Sequence, residues 1–371
     1  MPMIPMVNLS LQYRHIAESL DLAVSKAMAE GQYILGPEVK RLEAQLADYL
    51  GVSHAIGLNS GTDALYLALR ALDIGPGDEV ITTPFTFIAT TEAIGAIGAV
   101  PVFVDIDPAT FNLDVNQVEA HITERTKVLL PVHLFGQPCD MEPLLKIAQR
   151  HGLRVVEDCA QAIGATYQGQ RVGSVGDVGC FSFFPSKNLG CFGDGGLAVT
   201  CNPLLAERIE MLRRHGGKRK YHHTELGVNS RLDELQAAIL NVKLPYLDTW
   251  NSARRHHADN YRKLLSGNPD ILCPQELPEA YSVYNQFTIR VPERDRVQQA
   301  LKAAGVSSMV YYPIPLHRQE VHHNLGYSFG AFPAAEKAAA EVLSLPMFPE
   351  LTYEQQQTVA QALQEAFALS S

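Results

Sequence analysis

Only six cysteines occur in 371 residues, and none form a CxxC pair or sit among histidines at metal-ligand spacing. That scarcity excludes a disulfide framework and a zinc ribbon. The expectation is reduced thiols inside apolar strands of a cytoplasmic protein, with no metal. Long apolar runs are missing as well: none reaches the ~18 residues of a membrane span. The first residues, MPMIPMVNLSLQYRH, lack the charged start and extended apolar stretch of an export signal. A soluble protein without membrane association is expected. Positive charge is in short supply, since 30 Lys and Arg against 40 Asp and Glu leave a net charge of −10. This removes the electrostatic reason to expect nucleic acid as a partner. Tandem repeats and low-complexity segments are absent.

What is present is an ordinary enzyme composition, 46% hydrophobic and 19% charged, at a length that outgrows one core. Short apolar runs at 54–58, 79–83, 101–105, 127–133, 153–157, 178–183 and 196–200 read as strands. Helical spacing lies between them at 62–72, 86–97 and 141–151. Continuously apolar strands imply a mostly parallel α/β sheet covered by helices on both faces. In such sheets ligands gather at the carboxyl ends of the strands. Further on, helices are expected at 206–215, 232–250 and 253–265, around a polar loop at 216–229. After Pro269 the texture becomes α+β, with strands at 286–291 and 308–312 and helices at 295–304, 333–343 and 353–369. This pattern divides into a large domain over 1–250 and a small C-terminal α+β domain over 251–371.

Several segments at predicted strand ends carry chemistry. FSFFPSKNLG at 181–190, followed by GDGG at 193–196, sets Lys187 in an aromatic, apolar neighbourhood. Burial would disfavour the charge on its amine and make it a nucleophile toward carbonyls; the alternative is a solvated loop lysine. SGTDAL at 60–65 sits where a strand gives way to a helix. There, free N–H groups and the helix dipole favour an anion, although a plain Ser/Thr cap fits equally. In VVEDCAQA at 155–162, strand alternation sends Glu157 and Asp158 to opposite sides, so one of them faces a ligand. That carboxylate would take a metal, a ribose hydroxyl or a heteroaromatic N–H⁺, or simply cap a helix. PFTF at 84–87 offers either an aromatic face at the same rim or core residues. The basic run GKRKYHH at 217–223 reads as a cradle for a polyanion such as a nucleotide diphosphate, or as a solvated loop. Anion site, aromatic face, carboxylate and lysine together form the set that a pyridine aldehyde phosphate needs.

These segments resemble the DegT/DnrJ/EryC1/StrS family of nucleotide-sugar aminotransferases. The likeness runs from QYILGP at 32–37 almost to the end, through GDEVITTPFTFIAT at 77–90, EDCAQA at 157–162 and NSRLDELQAA at 229–238. It implies the fold type I architecture of pyridoxal 5'-phosphate (PLP) enzymes, aspartate aminotransferase-like, with a seven-stranded, mostly parallel sheet in the large domain. By position, Lys187 would hold the cofactor covalently and Asp158 would bind its ring nitrogen. Gln161 would lie near the ring oxygen and Phe87 against the ring face, while Gly61, Thr62 and Ser182 would hold the phosphate. Asn229 would reach the phosphate of a neighbouring subunit, implying a homodimer with shared active sites. RKYHHTELGVNSRLD at 219–233 and YYPIPLHRQ at 311–319 look most like enzymes acting on UDP- or dTDP-linked 3-keto hexoses or hexuronates. Many of those relatives carry a histidine where this chain has Tyr311. The implied activity is amino transfer from L-glutamate to a nucleotide-linked keto sugar, with Arg231, His222, His223 and Tyr312 as substrate contacts. Within the same fold, the rivals are a 3-amino-5-hydroxybenzoate-type synthase and a sugar dehydratase, whose known versions lack the lysine. A regulatory binding protein is the rival of a different class.

Overall fold

The computed structural model describes residues 3–368. Two helices that the strand pattern leaves out open the chain, α1 (Leu9–Glu30) and α2 (Pro37–Leu50). α2 starts on Pro37, whose fixed φ suits a first helical position, and buries Val39, Leu42, Leu46 and Leu50 along one stripe. The Glu234 carboxylate caps it from far along the chain, accepting the N–H groups of Gly36, Glu38 and Val39. There follow β1 (His54–Leu58), α3 (Gly61–Ala71), β2 (Glu79–Thr82), α4 (Ala89–Ala96), β3 (Val100–Phe103), the single turn α5 (Val115–Val118), β4 (Thr126–Leu129), α6 (Met141–His151) and β5 (Arg154–Asp158). A short hairpin, β6 (Thr166–Tyr167) and β7 (Gln170–Arg171), precedes β8 (Val178–Ser182) and β9 (Gly196–Thr200). Next come α7 (Pro203–Leu212), α8 (Glu234–Lys243) and α9 (Leu247–Leu265). The chain continues through β10 (Ala280–Tyr281), β11 (Phe287–Arg290), α10 (Arg294–Ala303), α11 (Pro333–Glu341), β12 (Val342–Leu345) and α12 (Tyr353–Ala368).

The main sheet has seven strands in the order β1-β9-β8-β5-β4-β2-β3. β9 runs antiparallel to both its neighbours, and the other pairings are parallel. Two antiparallel steps restore direction, so β1 and β8 point the same way as β2, β4 and β5. The turns that follow Leu58, Thr82, Asp158 and Ser182 therefore leave the sheet at one rim. Alternation along the strands fills both faces. Val80, Val128 and Val156 join one apolar cluster, while Ile81, Leu129 and Val155 join another on the opposite side. The fold is thus α/β with a mostly parallel seven-stranded sheet. A separate core unites Tyr261 and Leu265 of α9 with Phe287, Ile289, Leu301, Leu343, Leu345, Val359 and Leu363. α9 runs unbroken through residue 250 and carries its later turns into that core. Among the described residues, no helix is long and apolar enough to cross a membrane.

Three expected elements differ. The helix break falls at Leu244–Tyr246, a 3₁₀ turn around Pro245, rather than at 251–252, because proline lacks the N–H that a helix interior needs. The expected strand at 308–312 reduces to one bridge, Met309 to Ser344. The expected helix at 333–343 stops at Glu341, and Val342–Leu345 turns into a strand that pairs antiparallel with β11. Residue 369 of the last expected helix lies outside the described residues.

Candidate active site

The two acids at the end of β5 separate as strand alternation requires. Glu157 is fully buried and accepts the N–H groups of Gly173, Val175 and Gly176, together with the His133 ring at 3.0 Å. His133 Nδ1 accepts the Cys139 N–H at 2.9 Å, so its Nε2 carries the proton and donates to Glu157. His133, Glu157 and Cys159 stand close enough to share a metal, yet the histidine and glutamate are committed to these bonds. Asp158 faces the other way. Its Oδ2 accepts the Thr90 hydroxyl at 2.9 Å and its Oδ1 the Ala160 N–H at 3.1 Å. Thr86 lies 3.1 Å from Thr90. With the Thr90 proton given to Asp158, the Thr86 hydroxyl donates in turn. Burial pushes the Asp158 pKa up, against the pull of Ala160, Thr90 and the Lys187 charge.

The neighbouring turn is built for an anion. The Ser60 side chain accepts the Asp63 N–H at 3.1 Å and so starts α3. The Gly61 and Thr62 N–H groups, among the donors that every helix start leaves over, remain at the rim. A Cβ on Gly61 would stand 2.8 Å from Ser182 Cβ and 3.2 Å from its Cα. Glycine therefore lets the helix start come down onto the end of β8, beside the Ser182 hydroxyl.

Beyond Ser182, Phe183 is buried and the chain turns through Pro185, with the Lys187 N–H donating to the Phe184 carbonyl at 2.9 Å. Asn188 pins the turn. Its amide donates to Asn251 Oδ1 and the Val283 carbonyl, and its oxygen accepts from Asn285 at 2.7 Å. Lys187 is half-buried. Crowding by protein lowers its amine to about 8, with the nearby Asp158 charge opposing.

Phe87 is 55% exposed, so its ring face is free, and it tilts against Tyr312 with centroids 6.0 Å apart. Gln161 accepts the Phe135 N–H at 2.6 Å and donates to the Tyr312 hydroxyl at 3.2 Å. A cavity of about 440 Å³ opens among these groups, and Gly61, Thr62, Phe87, Asp158, Gln161, Ser182, Lys187 and Tyr312 all line it. Tyr311 lines it too.

The remaining expected residues lie elsewhere in the chain. Arg231 and His223 border a separate hollow beside Lys218, Arg219 and Lys220. His222 is exposed, and its N–H donates to the Arg219 carbonyl. His223 is tied through its ring to the His215 carbonyl at 2.8 Å. Asn229 bridges to Arg214. Thr86, Thr90 and Gln286 line the cavity without having been singled out in the sequence. The two threonines carry a faint signal, hydroxyls four apart at a helix start. Gln286 arrives from the second core and carries none.

Residues 14–364 match the DegT/DnrJ/EryC1/StrS aminotransferase family. The chain belongs to this family. It is 52% identical over 98% of its length to a protein of Geobacillus stearothermophilus named pleiotropic regulatory protein, covering 98% of that protein. It is 50% identical, over 95% of each chain, to UDP-N-acetyl-3-dehydro-alpha-D-glucosamine 3-aminotransferase of Acidithiobacillus ferrooxidans. Among solved structures, DesV of S. venezuelae superposes with a TM-score of 0.96 at 46% identity over 98% of both chains. NtdA of Bacillus subtilis, solved with bound cofactor PMP, gives 0.92 at 33% identity over 99% of this chain and 85% of that one. The mixed seven-stranded sheet with its flanking helices is the fold type I arrangement of these aminotransferases.

Proposed function

We propose that the protein is a PLP-dependent aminotransferase that passes the amino group of L-glutamate to the keto group of a nucleotide-linked sugar. The substrate class is a UDP- or dTDP-linked hexose or hexuronate with its keto group at C3. One observation carries the reading: Lys187, with its amine lowered to about 8, shares a cavity with the buried Asp158 and with Gly61, Thr62 and Ser182. The donor set suits PLP. The Gly61 and Thr62 N–H groups and the Ser182 hydroxyl would hold its phosphate, and the exposed Phe87 would take its flat ring. Once bound, PLP supplies an electron sink for the negative charge left on carbon when a proton is removed.

The chain's own residues do the rest. Asp158, ionised and held by Thr90, keeps a proton on a ring nitrogen placed against it. The Lys187 amine, balanced near neutral pH, takes the proton from the donor carbon and returns it as general acid. Gln161 holds the ring oxygen side. Tyr312, Arg231, His222 and His223 contact the sugar nucleotide, and Asn229 reaches the phosphate site of a second copy. The name of the Acidithiobacillus relative supports the 3-keto sugar, and the basic run at 217–223 supports a diphosphate-bearing substrate. The test is to load the purified protein with PLP and offer UDP- and dTDP-linked 3-amino sugars with 2-oxoglutarate, measuring glutamate. Glutamate formation that vanishes in Lys187→Ala is expected. Equal formation by that variant would overturn the assignment.

A further inference from the structure

α8 ends on a lysine that the amino transfer does not use. Lys243 is 1% exposed, and burial lowers its amine to about 8, with Cys191 and Glu350 opposing. Holding an ammonium there is unfavourable, and an apolar side chain of the same length would fill the space without that penalty. The amine donates to the Gly190 carbonyl at 2.5 Å and lies 5.0 Å from the centre of the Phe192 ring. Gly190 and Phe192 belong to the stretch by which the chain leaves the Lys187 turn. A lysine at a helix end also answers the helix dipole, but that role alone would leave Lys187 unaffected.

The turn is a loop, residues 184–190, closed at its base. The Cys191 N–H donates to the Phe183 carbonyl at 2.8 Å, and the Lys187 N–H hangs on the Phe184 carbonyl. A Cβ on Gly190 would stand 2.3 Å from the Pro185 carbonyl oxygen and 2.8 Å from that of Phe184. The two ends of the loop therefore lie directly on each other. Asn188 pins one side of the loop to Asn251, Val283 and Asn285. On the other side α8 grips the exit: Gln236 accepts the Phe192 N–H at 2.8 Å, and Lys243 holds Gly190. Fixing Gly190 fixes Phe184 and Pro185 against it, and with them the backbone from which Lys187 projects. We infer that Lys243 is a positioning residue for Lys187, its amine clamping the Gly190 carbonyl and so the base of the lysine loop. The inference rests on the reading of Lys187 as the reacting amine.

Lys243→Met keeps the length and loses the donor. In the cofactor-free protein a looser loop lets water reach the Lys187 amine. The midpoint of its labelling by an amine-directed reagent should then rise from near 8 toward ~10.4. In the PLP-loaded protein the L-glutamate half-reaction, followed by cofactor absorbance, should slow roughly 10- to 100-fold, with the apparent KM for glutamate within about twofold. Lys243→Arg and Lys243→Gln keep an N–H on a longer and a shorter side chain, and at least one of them should bring both readouts back. An unmoved Lys187 midpoint in Lys243→Met, or a loss that neither replacement restores, would overturn the inference. Collapse of the whole fold in Lys243→Met, read by melting curve, would overturn it too, since the clamp acts on one loop. The labelling needs no cofactor and so tests the clamp even if the amino-transfer reading fails. That reading falls separately, if Lys187→Ala forms glutamate at the full rate.

Discussion

Protein packed around Lys187 lowers its amine to about 8, against an ordinary lysine value of ~10.4, and the sign of that shift sets two expectations. In the cofactor-free protein, Lys187 should react with an amine-directed reagent along a pH profile centred near 8. Peptide mapping after labelling reads this directly. Between the two values the unfolded chain binds more protons than the folded one, so stability rises with pH across that window. The penalty of holding a charged amine there is fully present below pH 8 and gone above about 10.5. Cofactor-free Lys187→Met should therefore melt above the unaltered protein at pH 7, with the gap closing as pH rises. Its transaminase turnover should fall by roughly 10²–10⁴-fold, the usual contribution of a positioned acid–base. At Asp158, Thr90→Val deletes the donor to a buried carboxylate and raises its pKa further. The expected loss is about 1.5–3 kcal/mol of PLP affinity, read as the dissociation constant, with Thr90→Ser restoring it.

Elements place these groups more than any single contact does. Because β1, β5 and β8 share a direction, the α3 start, Asp158 and Ser182 meet at one rim, and Gly61 sets how closely α3 and β8 approach. Gly61→Ala would put a methyl 2.8 Å from Ser182 Cβ and 3.2 Å from a backbone atom that cannot swing away. We expect a loss of about 1–3 kcal/mol in stability, as for overpacking elsewhere, and weaker binding of inorganic phosphate to the cofactor-free protein. A melting curve and a phosphate titration would test both. The rim was legible in the sequence because each strand there is a continuous apolar run that ends in Gly, Pro, Ser or Asp. The failures have equally local causes. Val342–Leu345 continues the alanine-rich spacing of α11, and its pairing with β11 depends on Phe287–Arg290, far back along the chain. α1 buries only Gln12, Ile16, Leu20 and Ala27, too thin a stripe to stand out. Pro245 did mark the helix break, but it sits in an otherwise unbroken apolar pattern. Thr90 acquires meaning only when the fold sets Asp158 beside it.

At the scale of the whole molecule, the cavity holds the cofactor groups of one chain, while Asn229, Arg231, His222 and His223 stay outside it. The proposed site shared between two copies would account for that division, and subunit mixing can decide it. Lys187→Ala disables the chemistry of its own cavity. Asn229→Asp sets a carboxylate against the phosphate that Asn229 is proposed to reach in the partner. In a hybrid of the two variants, one site collects both defects and the other collects neither. Random pairing of equal amounts makes about half the dimers hybrid, each with one intact site, so roughly a quarter of the full activity should return. If Asn229 served its own chain's cavity, every site in the hybrid would carry one defect and nothing would return. Co-expressing the two variants with different affinity tags, isolating the doubly tagged species and assaying its glutamate formation separates these outcomes. The tags also report whether the protein pairs at all. Recovery near half of the full rate in the purified hybrid is the result that a shared site requires.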